Sequence, residues 1–324
     1  MRFSLLGKAF IALVLTAVFA YANSATFDRG VAAVKSGNFQ EAVKQFSIVI
    51  KEDPKNAIAY ALRGLAYKSL GNTSKAIADL TQTIKINPNL ADVYIARGLA
   101  YDDLGDTNKA IADYTQAIKI DPNGTKAYYS RGSAYADLGD TSKAIADFNQ
   151  AIKFNPNYAY AYHSRGNVYK SLGNTSKAIA DYSQAIKIDP KDSAAYYSRG
   201  SAYADLGDTS KAIADYTQAI KINPNYAYAY YSRGVAYYML GDKSQAITDA
   251  RKACELGDCS LLQSVVSSSA EHDNSRVQRT ETKYSKVCSS NDPMYRMWAN
   301  PWTMGQQGYL AMYAADQAAR ENCR

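Results

Sequence analysis

Arginine recurs at a step of 34 residues, at Arg63, Arg97, Arg131, Arg165, Arg199 and Arg233, and an aspartate follows each by sixteen residues, as Asp147 follows Arg131 and Asp215 follows Arg199. Guanidinium groups in such a row could bind anions, but a carboxylate at a constant offset assigns them to pairing between neighbouring helices. Four cysteines lie late in the chain, at Cys254, Cys259, Cys288 and Cys323. Their spacing does not fit a metal site, and no cofactor is implied. In an oxidising compartment an even number predicts disulfides. Bonds joining the first two to the last two would staple the tail to what precedes it; a local Cys254–Cys259 bridge or free thiols would not. Tyrosine is abundant, with 28 copies. Its chemistry is capture, not catalysis: a large apolar ring, a hydroxyl for hydrogen bonding and few rotamers to freeze.

Short helices must position these groups. Pro54, Pro88, Pro122, Pro156, Pro190 and Pro224 keep the same 34-residue step, which marks stacked copies of one supersecondary unit. In the unit Thr125–Tyr158, Tyr128, Gly132, Tyr135 and Leu138 fall at helical spacing. Gly139-Asp140 breaks the pattern and Thr141 is the expected N-cap of a second helix. That helix carries Ala144, Ile145, Phe148, Ala151 and Ile152 on one face, and Asn155-Pro156-Asn157 ends it. Gly132 sits at mid-helix at a cost of about 1 kcal/mol, so its recurrence predicts a neighbouring helix too close for a side chain. Ala144, Ala151, Ala178 and Ala185 suit the same close contact, while Tyr128, Tyr135 and Phe148 fill the remaining volume.

These residues resemble the tetratricopeptide repeat family, whose pattern runs Trp-x2-Leu-Gly-x2-Tyr, then Ala, an aromatic, Ala and Pro. The third unit reads Tyr94, Arg97, Gly98, Tyr101, Ala110, Tyr114, Ala117 and Pro122, with Tyr for Trp and Arg for Leu. The resemblance covers residues 23–260 as seven units: 23–56, 57–90, 91–124, 125–158, 159–192, 193–226 and 227–260. Unit one is looser (Gly30, Ala42, Phe46, Pro54), and unit seven has Ala250 and Asp258 where the aromatic and the proline would stand. The implied fold is all-α, a right-handed superhelical solenoid of helix-turn-helix repeats with a C-terminal capping tail.

By the same resemblance, the first helices line a concave groove through the second, fifth, sixth, ninth, twelfth and thirteenth residues of each unit. Early units place Ile58, Leu62, Leu65, Ile95 and Leu99 there. Middle units place Tyr129, Ser130, Ser133, Asp137, His163 and Asn167. Late units place Tyr197, Asp205, Tyr228, Tyr231, Val235, Tyr238 and Met239. Within the chain, packing positions barely change and these positions vary. Either they bind an extended segment or an amphipathic helix, or the tyrosines pack on adjacent helices. The carboxylate clamp of some relatives is not expected, since His163, Ser198, Tyr228 and Ser232 replace its Lys, Asn and Arg residues.

The ends are different material. Residues 1–22 read as a secretory signal, with Arg2 and Lys8, an apolar run from Ala9 to Ala20, and Ala20-Tyr21-Ala22 as cleavage site. The run is short for a membrane span, so the expected protein is exported, periplasmic in a Gram-negative bacterium and otherwise secreted. Removing Arg2 and Lys8 takes the formal charge from +7 to +5. Lysines and aspartates alternate, so the concentrated basic footprint of nucleic-acid binding is missing. Residues 261–324 form a Ser-rich linker and a tail with Trp298 and Trp302, which either covers the end of the array or docks a partner. With no Gly-x-Ser-x-Gly elbow and no phosphate loop there, a catalytic tail is disfavoured. The expected function is a non-enzymatic scaffold holding a protein or peptide in the groove; the alternative is a structural spacer that docks through its tail.

Overall fold

A computed structural model describes residues 25–262, and all regular structure among them is α-helical. The helices are α1 (Ala25–Lys35), α2 (Phe39–Glu52), α3 (Ala57–Ser69), α4 (Thr73–Ile86), α5 (Ala91–Asp103), α6 (Thr107–Ile120), α7 (Thr125–Asp137), α8 (Thr141–Phe154), α9 (Ala159–Ser171), α10 (Thr175–Ile188), α11 (Ser193–Asp205), α12 (Thr209–Ile222), α13 (Ala227–Met239) and α14 (Lys243–Glu255). Odd-numbered helices are the first of each repeat and even-numbered ones the second.

The turn between them is made by two residues. Gly139, at φ +78°, takes the left-handed conformation that ends α7. Asp140 then starts α8, its Oδ1 accepting the Lys143 N–H at 3.2 Å. The N-cap is therefore Asp140 and not Thr141, which is the first helical residue. A carboxylate one residue earlier reaches the free amide that a threonine at the first helical position cannot. Asp106, Asp208 and Asp242 cap α6, α12 and α14 in the same way.

Packing explains the mid-helix glycines. A Cβ on Gly98 would lie 2.6 Å from the Tyr114 ring, and one on Gly200 would lie 2.9 Å from the Tyr216 ring. Each ring comes from the second helix of the same repeat and is buried, as are Phe46, Phe148 and Tyr182 at the equivalent place. Leu80 occupies it in repeat two. The alanines expected to permit close contact, Ala144, Ala151, Ala178 and Ala185, are all fully buried.

The described residues divide into two compact units, with the boundary between Arg165 and Gly166. In the first, successive helices from α1 to α8 pack on one another, and α1, α3, α5 and α7 also touch in succession. In the second, α10 to α14 pack in the same order and α11 touches α13. No helix among the described residues is long and apolar enough to cross a membrane. The signal expected at 1–22, the expected serine-rich linker, Trp298, Trp302, Cys288 and Cys323 lie outside the described residues.

Candidate partner-binding face

The periodic arginines are occupied inside the fold. Arg131 donates from Nε and Nη2 to both carboxylate oxygens of Asp147, at 2.8 and 2.9 Å. Its remaining nitrogen, Nη1, donates to Thr115 Oγ1 in the preceding repeat at 3.1 Å. Arg63, Arg97, Arg199 and Arg233 repeat the fork on Asp79, Asp113, Asp215 and Asp249, reaching back to Ser47, Thr81, Ser183 and Thr217. Each guanidinium also lies beside two tyrosine rings, Tyr128 and Tyr135 in the case of Arg131, at 5.8 and 5.9 Å. The hydrogen bonds to Asp147, followed by its negative charge, hold the Arg131 pKa above its usual value although burial opposes this. One side chain thus ties three helices together, and its donors face the fold instead of a ligand. Tyr128 and Tyr135, expected to fill space between helices, are half-buried walls for this cation.

The first-helix positions expected to bind a partner behave differently. In the first unit, Tyr129 is half-buried and its ring centroid lies 5.2 Å from Tyr158, 5.9 Å from Phe148 and 6.5 Å from Tyr160. Ser164 Oγ approaches its hydroxyl at 3.5 Å. Burial, then the neighbouring Tyr129 and Tyr160, push the Tyr158 hydroxyl pKa well above its usual value. His163 is half-buried on α9, and Asp137 is exposed at the end of α7.

In the second unit, Tyr197 repeats the arrangement against Tyr226 at 5.1 Å and Tyr216 at 5.7 Å, with Ser232 Oγ at 3.4 Å from its hydroxyl. Asn167 is exposed, and its Oδ1 accepts from the Tyr182 hydroxyl at 2.7 Å. Asp205 pairs with Lys170 at 3.2 Å, joining α9 to α11. Tyr228 and Tyr231 are half-buried, while Tyr238 is 41% exposed beside Met239 at 73%. Tyr231 packs on Ala250 and Leu261, and burial followed by Asp258 raises its hydroxyl pKa.

One expected surface residue is not on the surface. Leu62 is 1% exposed, packed with Phe46, Val49 and Ile50. At that position Leu62 reaches into the preceding repeat, Ser198 is also buried, and Ser130, Ser164 and Ser232 are half-exposed. Conversely, Tyr158, Tyr160 and Tyr226 belong to the aromatic clusters although they precede or begin a helix. Their signal in the sequence is the hexapeptide Asn-Pro-Asn-Tyr-Ala-Tyr, which occurs at 155–160 and again at 223–228.

Comparison with known proteins points in one direction. A family profile described as TPR repeat matches residues 100–139, 132–173, 166–207 and 200–241. Two profiles described as tetratricopeptide repeat match 27–91 and 227–256. No curated protein sequence matches the chain significantly. Among solved structures, a tetratricopeptide repeat protein from Parabacteroides merdae is 23% identical with a TM-score of 0.59, over 74% of this chain and 97% of that one. PilF of Pseudomonas aeruginosa is 16% identical with a TM-score of 0.58, over 65% and 97%. MamA is 32% identical with a TM-score of 0.46, over 50% and 94%.

Proposed function

Because the chain belongs to the tetratricopeptide repeat family, we propose that it is a non-enzymatic scaffold that holds a partner polypeptide against the variable faces of its first helices. The observation that carries this reading is a division of labour within each repeat. Arginine, glycine, alanine and the seat aromatic recur and are consumed by packing. Residues such as Tyr129, Asp137, His163, Asn167, Tyr197, Asp205, Tyr228, Tyr231 and Tyr238 stand at positions that vary more among the seven repeats, and they keep part of their surface. A tyrosine whose back is packed and whose edge is open is already ordered, so binding costs little further side-chain entropy.

The partner in this reading is a protein or peptide, and the leader-like composition of residues 1–22 supports an encounter outside the cytoplasm. The test is capture from native cell-envelope extract by wild type and by a Tyr129→Ser, Tyr197→Ser variant, with helicity checked by circular dichroism. The reading expects a folded variant that loses a specific partner. If both proteins capture the same partner and a chain truncated after Leu262 captures none, the tail is the docking element and the first-helix assignment fails.

A further inference from the structure

The last repeat lacks the side chain that fills every earlier one. Its second helix carries Ala250 where the others carry Phe46, Leu80, Tyr114, Phe148, Tyr182 and Tyr216. The volume is filled all the same. Leu261, from beyond the end of α14, places Cδ2 2.7 Å from the position a Cβ on Gly234 would take. Its exposure is 5%, and Ala250, Tyr231, Val235 and Ile247 surround it. The flank of Gly234 that would meet an aromatic of its own second helix meets instead a leucine arriving from the C-terminal side.

For Leu261 to arrive there the chain must turn back sharply. α14 has 13 residues, where α4, α6, α8, α10 and α12 have 14. Gly257, at φ +105°, ends it in a conformation that disfavours any side chain. The Gly257 N–H donates to Cys254 O at 3.0 Å and the Asp258 N–H to Ala253 O at 2.9 Å. Cys254, 2% exposed, and Cys259 close the reversal with their Cα atoms 4.0 Å apart and their sulfurs at bonding distance. Cys259 stands two residues before Leu261.

We propose that Leu261 is a plug for the terminal repeat and that a Cys254–Cys259 disulfide is its latch, so that the redox state of this pair decides whether the end of the array is sealed. A dithiol reductant opens the latch: two electrons and two protons convert the bond into the Cys254 and Cys259 thiols, and the donor leaves as its own cyclic disulfide. The reversal then rests on Gly257 and on local hydrogen bonds between residues 252 and 260. Leu261 exchanges with solvent and exposes an apolar socket between Gly234 and Ala250, of the size that holds leucine, phenylalanine or tyrosine elsewhere in the array. This inference concerns the end of the array and stands or falls separately from partner binding at the first helices.

The test uses the full chain with Cys288→Ser and Cys323→Ser, so that one pair reports on redox state, and reads amide exchange by mass spectrometry with and without dithiothreitol. Reduction is expected to speed exchange across 246–262 by about tenfold or more, with α11 and α12 unchanged. Leu261→Ala, which empties the socket, is expected to speed it by about thirtyfold in the oxidised protein. Ala250→Tyr combined with Leu261→Ala supplies the missing ring from the second helix, restores protection of α13 and α14, and removes their response to dithiothreitol. The proposal is overturned if reduction changes nothing, if alkylation finds both thiols free in air-oxidised protein, or if the double variant exchanges as fast as Leu261→Ala alone.

Discussion

Repeats six and seven, residues 193–226 and 227–260, follow one plan with two different tolerances. Their polar pins are the same. Arg199 forks onto Asp215 and reaches Ser183; Arg233 forks onto Asp249 and reaches Thr217, every contact between 2.8 and 3.1 Å. Their apolar fillings are not, since Tyr216 does in repeat six what Leu261 does in repeat seven. A bidentate ion pair needs its partners at one offset and one angle. Apolar volume has no direction, and any group that excludes water and fills the space will serve. The repeat therefore holds its arginine and aspartate in strict register and lets the filling come from elsewhere.

The largest effect tests the pins. Removing one member of a buried pair leaves an unpaired charge, at about 3–5 kcal/mol. Asp215 and Asp249 are 6% and 2% exposed, so Asp215→Ala and Asp249→Ala should each lower the urea midpoint by a comparable, large amount. A much milder Asp249→Ala would show that the terminal pin is not equivalent.

The next effect tests the fillings. At Gly200 an added methyl meets the Tyr216 ring at 2.9 Å and the Ala212 carbonyl at 3.2 Å, and a buried ring cannot step aside. Gly200→Ala should cost about 1–3 kcal/mol of overpacking, less the helix-propensity gain of about 1 kcal/mol. At Gly234 the nearest atom is the far end of the Leu261 side chain, which can rotate where a ring cannot. Gly234→Ala should be close to neutral in thermal denaturation; equal losses at the two sites would remove the distinction. Smaller again is the third donor of the pin. Ser183→Ala and Thr217→Val each remove a hydroxyl that accepts from Arg Nη1, and each should cost about 0.5–1.5 kcal/mol.

The same contrast separates what the sequence made legible from what it hid. The helix pairs, the mid-helix glycines and the arginine–aspartate step were readable because a strict period turns offsets into contacts. The N-cap falls one residue before the expected Thr141: Asp and Thr stand side by side in Gly-Asp-Thr, both are capping residues, and only the backbone shows which lies outside the helix. Leu62 stands at a position whose serines are half-exposed at 130, 164 and 232 but buried at 198, so the position alone does not decide exposure, and a large apolar side chain there packs into the preceding repeat. Leu261 was out of reach for a different reason. It lies past the last repeat, at no offset the other six units use, and non-directional packing leaves no spacing to find.

The last and smallest effect concerns the tyrosines that border these fillings. Tyr231 packs on Leu261 and Ala250, and its hydroxyl pKa is raised by burial and by the nearby Asp258 carboxylate. A raised pKa means that the folded chain holds this proton more tightly than the unfolded chain does. The associated stability is complete below the unfolded tyrosine pKa of about 10 and is lost as pH rises through the folded value. Tyr231→Phe has no proton to lose. Melting curves between about pH 9 and 11 should therefore fall less steeply for the variant than for wild type, with the two slopes equal near neutrality. A wild-type slope matched by Tyr231→Phe across the alkaline range would mean that this hydroxyl reaches water as freely as it does in the unfolded chain, and that the filling of repeat seven is looser than that of repeat six.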